Sequence, residues 1–231
     1  MVIGITNTEA NYHNYPRWIK GDDEVIEVKT LTPENIEDLE KCDGIVLSGV
    51  VDTHPGFYKN DNLRYPNAPD AFDEKRDQFE LDIFRFACKK NVPLLAVCRG
   101  MQLVNIALGG DILQDIEASG KNNHRKQVGA DGIHGLTISI DSLLFTITEN
   151  EKGEVNSAHH QALGTLAPDL AANAWSPDGL VEGVEWKNKT GKNFLLGVQW
   201  HPERLGDLQP GNPLSKNIRD TFLKEVMSKM I

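Results

Sequence analysis

The chain has 231 residues, 39% hydrophobic and 25% charged, a balance that suits a soluble globular protein able to bury a core without disulfide or metal staples. Its 34 acidic and 24 basic residues leave a net charge of −10, which repels phosphate backbones and anionic lipid and so argues against nucleic-acid and membrane partners. No apolar run reaches the roughly 20 residues of a membrane span, and the opening MVIGITNT lacks the form of a signal peptide, so a cytoplasmic location is expected.

Short apolar runs alternate with helical patterns through the first half. Val2–Ile5 (VIGI), Val25–Val28 (VIEV), Gly44–Leu47 (GIVL) and Pro93–Val97 (PLLAV) read as strands. Their unbroken apolar character suits a parallel sheet covered on both faces. Thr32-Pro33-Glu34 has the form of a capped helix start, with Ile36 and Leu39 on the buried face. From Val51 to Phe72 runs a polar stretch rich in Pro, Asn and Tyr, and a loop of that length usually carries function. Asp77 to Lys90 sets Phe79, Ile83, Phe86 and Ala87 at helical spacing, and Asn91-Val92-Pro93 stops that helix. Between Leu136 and Trp200 the pattern turns to strands, in LTISI, GLVEGVEW and NFLLGVQW. Leu214, Ile218, Phe222 and Val226, four apart each time, mark a last helix. The sum is a single α/β domain over residues 1–231, a three-layer sandwich with a mostly parallel central sheet and a small antiparallel addition.

Three cysteines, Cys42, Cys88 and Cys98, are too few and too scattered for a disulfide framework or a zinc site. Each is a candidate for thiol chemistry, and their settings differ. Cys98 lies in Ala96-Val97-Cys98-Arg99-Gly100, where a buried strand ends and Leu103, Val104, Ala107 and Leu108 follow at helical spacing. A strand-to-helix turn that sharp needs small neighbours, here Ala96 and Gly100, and it pushes the sulfur out at the sheet edge. The helix N-terminus favours the thiolate, the reactive form. The Arg99 N–H would point toward an attacked carbonyl, as half of an oxyanion hole. The plainer reading is a buried structural cysteine, which also fits Cys42 and Cys88.

A thiol nucleophile needs a base, and the base an orienting acceptor. His201 follows the apolar run FLLGVQW at a strand end, and Glu203 lies two positions on, beyond Pro202. The tandem His159-His160 in VNSAHHQ competes for the role. His13, His54, His124 and His134 have no partner visible in the sequence.

Together these residues resemble the class I glutamine amidotransferase fold, of flavodoxin-like type, and within it the γ-glutamyl hydrolase branch. The resemblance covers nearly the whole chain: GIVLSGVVDTHPGFY from Gly44, the block from Arg76 to Ile116, VNSAHHQAL from Val155, SPDGLVEGVEW from Ser176, and LGVQWHPE ending at Glu203. It implies Cys98 as nucleophile with His201 and Glu203 completing a triad. It implies that Gln102 touches the glutamyl portion, and that Asn156, Ser157, His159, His160 and Gln161 lie near the pocket. It implies a second oxyanion donor from the Ser48-Gly49-Val50 run, where the family usually shows two glycines. Val50 occupies the second of those positions, and a β-branched residue tolerates positive φ poorly. The run therefore either presents its N–H with ordinary dihedrals or supports a slower enzyme.

The resemblance implies hydrolysis of a γ-glutamyl amide of a small amine, with no metal or organic cofactor. Two other readings stay open: a glutaminase subunit feeding ammonia to a synthase partner, and a catalytically weak binding module on the same scaffold. A homo-oligomer stays open under all three.

Overall fold

The computed structural model describes residues 1–8 and 10–230. Its strands are β1 (Val2–Thr6), β2 (Glu27–Leu31), β3 (Gly44–Leu47), β4 (Leu94–Val97), β5 (Ile112–Leu113), β6 (Gly132–Ile138), β7 (Lys152–Ser157), β8 (Ala162–Leu163), β9 (Leu170–Trp175), β10 (Val181–Trp186) and β11 (Leu195–Val198). Nine of them form one sheet in the order β2-β1-β3-β4-β11-β10-β9-β6-β7. The five from β2 to β11 are parallel, and β10, β9, β6 and β7 extend the sheet antiparallel. β5 and β8 pair separately. The helices are α1 (Asn14–Lys20), α2 (Glu74–Lys90), α3 (Arg99–Ala107), α4 (Leu143–Thr148), α5 (Pro202–Leu208) and α6 (Lys216–Lys229).

The parallel strands are apolar throughout because both faces are covered. In β4, Leu95 and Val97 enter one core, with residues of α1, α4, α5 and α6; Leu94 and Ala96 enter the other, with residues of α2 and α3. This period of two is the pleat of the strand, and it makes the three layers. At the carboxyl ends of β3, β4 and β11 the chain leaves the sheet at Ser48, Cys98 and Gln199. Loops from three neighbouring strands thus converge where open α/β sheets place their sites.

Several expected boundaries move. β2 begins at Glu27, and Val25 is 75% exposed. The helix expected from Thr32 starts later, as a 3-10 turn over Ile36–Lys41, because the Asn35 side chain accepts from the Thr32 N–H (2.7 Å) and donates to the Thr30 carbonyl (2.8 Å). Leu39 is buried there and Ile36 is exposed. β6 stops at Ile138, short of the expected Ile140, which is exposed. α1, α4, α5, β7 and β9 had no element assigned from the sequence pattern. Among the described residues, no helix is long and apolar enough to cross a membrane.

Candidate active site

Cys98 occupies the single residue between β4 and α3, with φ 54° and ψ −110°. Left-handed backbone at a non-glycine residue costs about 1–3 kcal/mol and persists only where neighbours over-determine it. Two neighbours do so. The Cys98 N–H donates to the Val198 carbonyl (2.7 Å), tying the turn to β11. Gly100 lets α3 close onto β3, since a Cβ there would lie 2.5 Å from the Leu47 carbonyl oxygen.

His201 and Glu203 are both buried at the mouth of β11. His201 Nδ1 donates to Glu203 Oε1 (2.8 Å), which leaves Nε2 for the cavity. Pro202 is the first residue of α5, a helix the sequence did not disclose, with His201 at its N-cap and Glu203 in its first turn. Burial pulls the His201 ring down, but the Glu203 carboxylate and the Cys98 thiolate outweigh it and push the ring up to about 9. Burial pushes the thiols of Cys42 and Cys88 up to about 11, which keeps their reactive thiolate form scarce at neutral pH.

A cavity of about 320 Å³ opens over Cys98 and His201. Of the residues expected near substrate, Gln102, His159, His160 and Gln161 line it. Asn156 and Ser157 do not. Asn156 is fully buried behind His201, where its Oδ1 accepts from the His201 N–H (3.2 Å), and the Ser157 hydroxyl donates to the His124 carbonyl (2.7 Å). A strand residue adjacent to a pocket-lining loop shares its sequence block without sharing its exposure. A larger cleft of about 560 Å³, along Thr6–Thr8, Thr32–Glu34 and Ala71–Arg76, holds none of Cys98, His201 and Glu203.

The two expected oxyanion segments differ in their hydrogen bonds. The Gly49 N–H is already engaged, donating to the Tyr15 hydroxyl (2.9 Å). The N–H groups of Val50 and Arg99 donate to no acceptor among the described residues. Val50 has φ 69° and Val51 φ 47°, so neither takes ordinary dihedrals. Arg76 supplies the restraint: its guanidinium donates to the carbonyls of Gly49 (3.0 Å) and Val50 (3.4 Å). Val50→Gly should therefore stabilise the chain by about 1 kcal/mol, left-handed strain of about 1–3 kcal/mol being offset by glycine's greater unfolded-state freedom. Urea unfolding measures this, and a clear loss of stability would contradict it.

Several residues at the site gave no sequence signal. Gln199 Nε2 donates to Cys98 Sγ (3.4 Å), and its Oε1 accepts from Gln102 (3.1 Å). Arg204 and Lys126 bring positive charge to the cavity wall, Arg204 being held by Asp131 (2.9 and 3.1 Å). Asp52, also lining the cavity, pairs with His160 (2.9 Å) and accepts from the Tyr65 hydroxyl (2.8 Å), which itself accepts from Gln161 Nε2 (3.3 Å), so the long loop docks on the site through Asp52 and Tyr65. Tyr58, in the same loop, accepts from Gln114 (3.0 Å) and lies off the cavity. Beneath the turn lies a buried charge network. Arg99 pairs with Asp77 and Glu80, and Arg76 with Glu80 (2.9 Å). Burial alone would lift Glu80, yet the Arg99 and Arg76 guanidiniums hold it below the usual carboxylate range.

A second constellation adjoins the site. His124, His134, His159 and Glu182 bring donor atoms within 4.8 Å of one another. The sequence offered no partner for His124 or His134, because their companions stand on separate strands and loops.

Comparison with known proteins agrees with this architecture. The family model for Peptidase C26 matches residues 19–203. Protein NtpR of Enterococcus hirae is 38% identical over 193 residues, 81% of this chain and 76% of that one. The γ-glutamyl-γ-aminobutyrate hydrolase PuuD of Escherichia coli is 35% identical over 175 residues, 71% of this chain and 65% of that one. The fold is similar to the glutaminase domain of Trypanosoma brucei CTPS, solved with bound acivicin, with a TM-score of 0.69, 16% identity and coverage of 99% of this chain and 94% of that one. With a family model spanning most of its length and these relatives, the chain belongs to the Peptidase C26 family, class I glutamine amidotransferase-like hydrolases that act on C–N bonds.

Proposed function

We propose that the chain cleaves the γ-glutamyl amide bond of a small γ-glutamyl amine, with Cys98, His201 and Glu203 as its triad. The observation that carries this reading is the His201–Glu203 pair, which opens on the same cavity as a cysteine held in a strained strand-to-helix turn. The name of the Escherichia coli relative supplies the bond type.

In this mechanism the Cys98 thiolate attacks the γ-carbonyl, and the N–H groups of Val50 and Arg99 receive the oxyanion. The His201 imidazolium protonates the departing amine, leaving a glutamyl thioester. Thioester formation removes the thiolate charge, one of the two influences that raise the His201 ring. The ring, left neutral by protonating the amine, therefore stays neutral and activates water for the second step. Glu203 fixes the tautomer throughout. Arg204 and Lys126 suit a substrate bearing a carboxylate.

Two measurements test this. Glutamate release from a panel of γ-glutamyl amines, with glutamine alongside, should favour an amine over glutamine. Strong preference for glutamine, raised by an added synthase, would support the ammonia-donating alternative. Mass spectrometry of the quenched reaction should show a glutamyl adduct on Cys98, and turnover without any adduct would sink the covalent route.

The pH response follows from His201. Its folded value of about 9 exceeds the unfolded 6.5, so the pair adds stability that is fully present below pH 6.5 and is lost as pH rises through 9. The acylation rate should fall over the same upper limb, because the proton donor is gone. Single-turnover rates from pH 6 to 10 would show this limb, and Glu203→Gln should move it to lower pH.

A further inference from the structure

We propose that His124, His134, His159 and Glu182 bind one divalent transition-metal ion, zinc by their ligand chemistry, which fastens the antiparallel end of the sheet to the wall of the Cys98 cavity. Glu182 stands on β10 and His134 on β6, His124 lies in the connection before β6, and His159 follows β7. Glu182 Oε1 lies 3.7 Å from His124 Nδ1, 3.7 Å from His134 Nε2 and 3.6 Å from His159 Nε2.

The proton inventory makes the case. The Nδ1–H of His159 is directed at the Gln161 carbonyl (2.8 Å) and that of His134 at the Gly135 carbonyl (2.9 Å). His124 Nε2 faces the Asp178 carboxylate (3.2 and 3.3 Å). Each outer partner can only accept, so each neutral ring presents its bare nitrogen inward. Three lone pairs therefore meet a carboxylate that is 0% exposed. Both Glu182 oxygens, His134 Nε2 and His159 Nε2 have no hydrogen-bond partner among the described residues. Buried polar atoms are rarely left so. A proton on Glu182 would serve one of the three nitrogens, whereas a cation serves all four groups.

The outer carbonyls and carboxylate are also what metal-bound imidazoles usually have behind them. A tetrahedral zinc ion about 2.0–2.1 Å from each ligand holds them about 3.3–3.4 Å apart, a few tenths of an ångström inside the Glu182–histidine distances, while the four donor atoms as a set now lie within 4.8 Å of one another. Three imidazoles and a carboxylate, without thiolate, suit zinc among the borderline metals. Four protein ligands close the coordination shell, the mark of a structural ion. A cleft of about 80 Å³, lined by Asn122, His124, His134 and Asp178 among others, provides an entry path. The consequence for the site runs through His159, since Ala158–Gln161 line the Cys98 cavity.

The test uses the full chain, stripped with a chelator and titrated with zinc chloride against a chromophoric competitor, with elemental analysis for stoichiometry. One zinc per chain is expected. Zinc at about 1,000-fold over its Kd should raise Tm by about 8–16 °C. Glu182→Gln and His134→Ala should each weaken zinc binding by more than about tenfold, and Asp178→Asn, which reaches only the outer nitrogen of His124, by about 10–100-fold. Cobalt should give the visible bands of a tetrahedral ion in the parent chain and not in Glu182→Gln. Substoichiometric zinc in the parent chain, or unchanged affinity in Glu182→Gln and Asp178→Asn, overturns the proposal. None of these readouts requires turnover, so they stand apart from the γ-glutamyl reading.

Discussion

Cys98→Ala should lower γ-glutamyl hydrolysis by about 10⁴-fold or more, equivalent to about 5.5 kcal/mol of barrier. Without the sulfur no thioester forms, and His201 would have to drive water directly at an amide. The backbone donors can still polarise the carbonyl, so some rate above the uncatalysed one should remain. The fold should be kept, because Cys98 contributes one small side chain to a core that Leu95, Val97 and Val198 fill. Glu203→Gln should cost about 10²–10⁴-fold by releasing the tautomer that the 2.8 Å bond imposes. Steady-state glutamate release, with circular dichroism on the same samples, measures both. An alanine variant within tenfold of the parent would remove Cys98 from the mechanism.

Arg99→Met should destabilise the chain by about 3–5 kcal/mol. The network under the Cys98 turn contains two cations, Arg76 and Arg99, and two anions, Asp77 and Glu80. Glu80 is 0% and Arg99 3% exposed, so water cannot replace a lost partner. Methionine fills the volume but leaves an anion in excess, and Asp77, which burial already lifts, would be driven further toward protonation. The loss is a large share of the roughly 5–15 kcal/mol that holds a domain together. The exposed Arg85–Asp82 pair makes the control: Arg85→Met should cost less than about 1 kcal/mol. Urea unfolding of both variants decides the matter, and equal losses would mean the network is balanced by something other than Arg99.

The sheet was largely legible because its strands are buried on both faces, and an unbroken apolar run such as Leu94–Val97 has few other uses. The edges were less so. Val25 continues an apolar run yet stays exposed, since Asp23 Oδ1 takes its N–H (2.9 Å) and the strand begins two residues later. The short helices α1, α4 and α5 escaped because six or seven residues are too few for a helical period to declare itself. Val50 was marked as the residue out of place, but only the contacts of Arg76 explain how it can hold a left-handed turn.

By itself the sequence determined the parts that local chemistry dictates: a parallel core, a cysteine at a tight turn between small residues, and a histidine and carboxylate two positions apart after a buried strand. Proximity along the chain is enough for these, because the period of a strand or a turn sets the geometry. Only the tertiary structure decided the rest. It brought the ends of β4 and β11 together, put Gln199 against the sulfur, took the Gly49 N–H for Tyr15, and withdrew Asn156 and Ser157 from the cavity, Asn156 to a place behind His201. It also gathered three imidazoles and a carboxylate from four separate segments, a constellation with no spacing to read because its members meet only when the antiparallel strands pair.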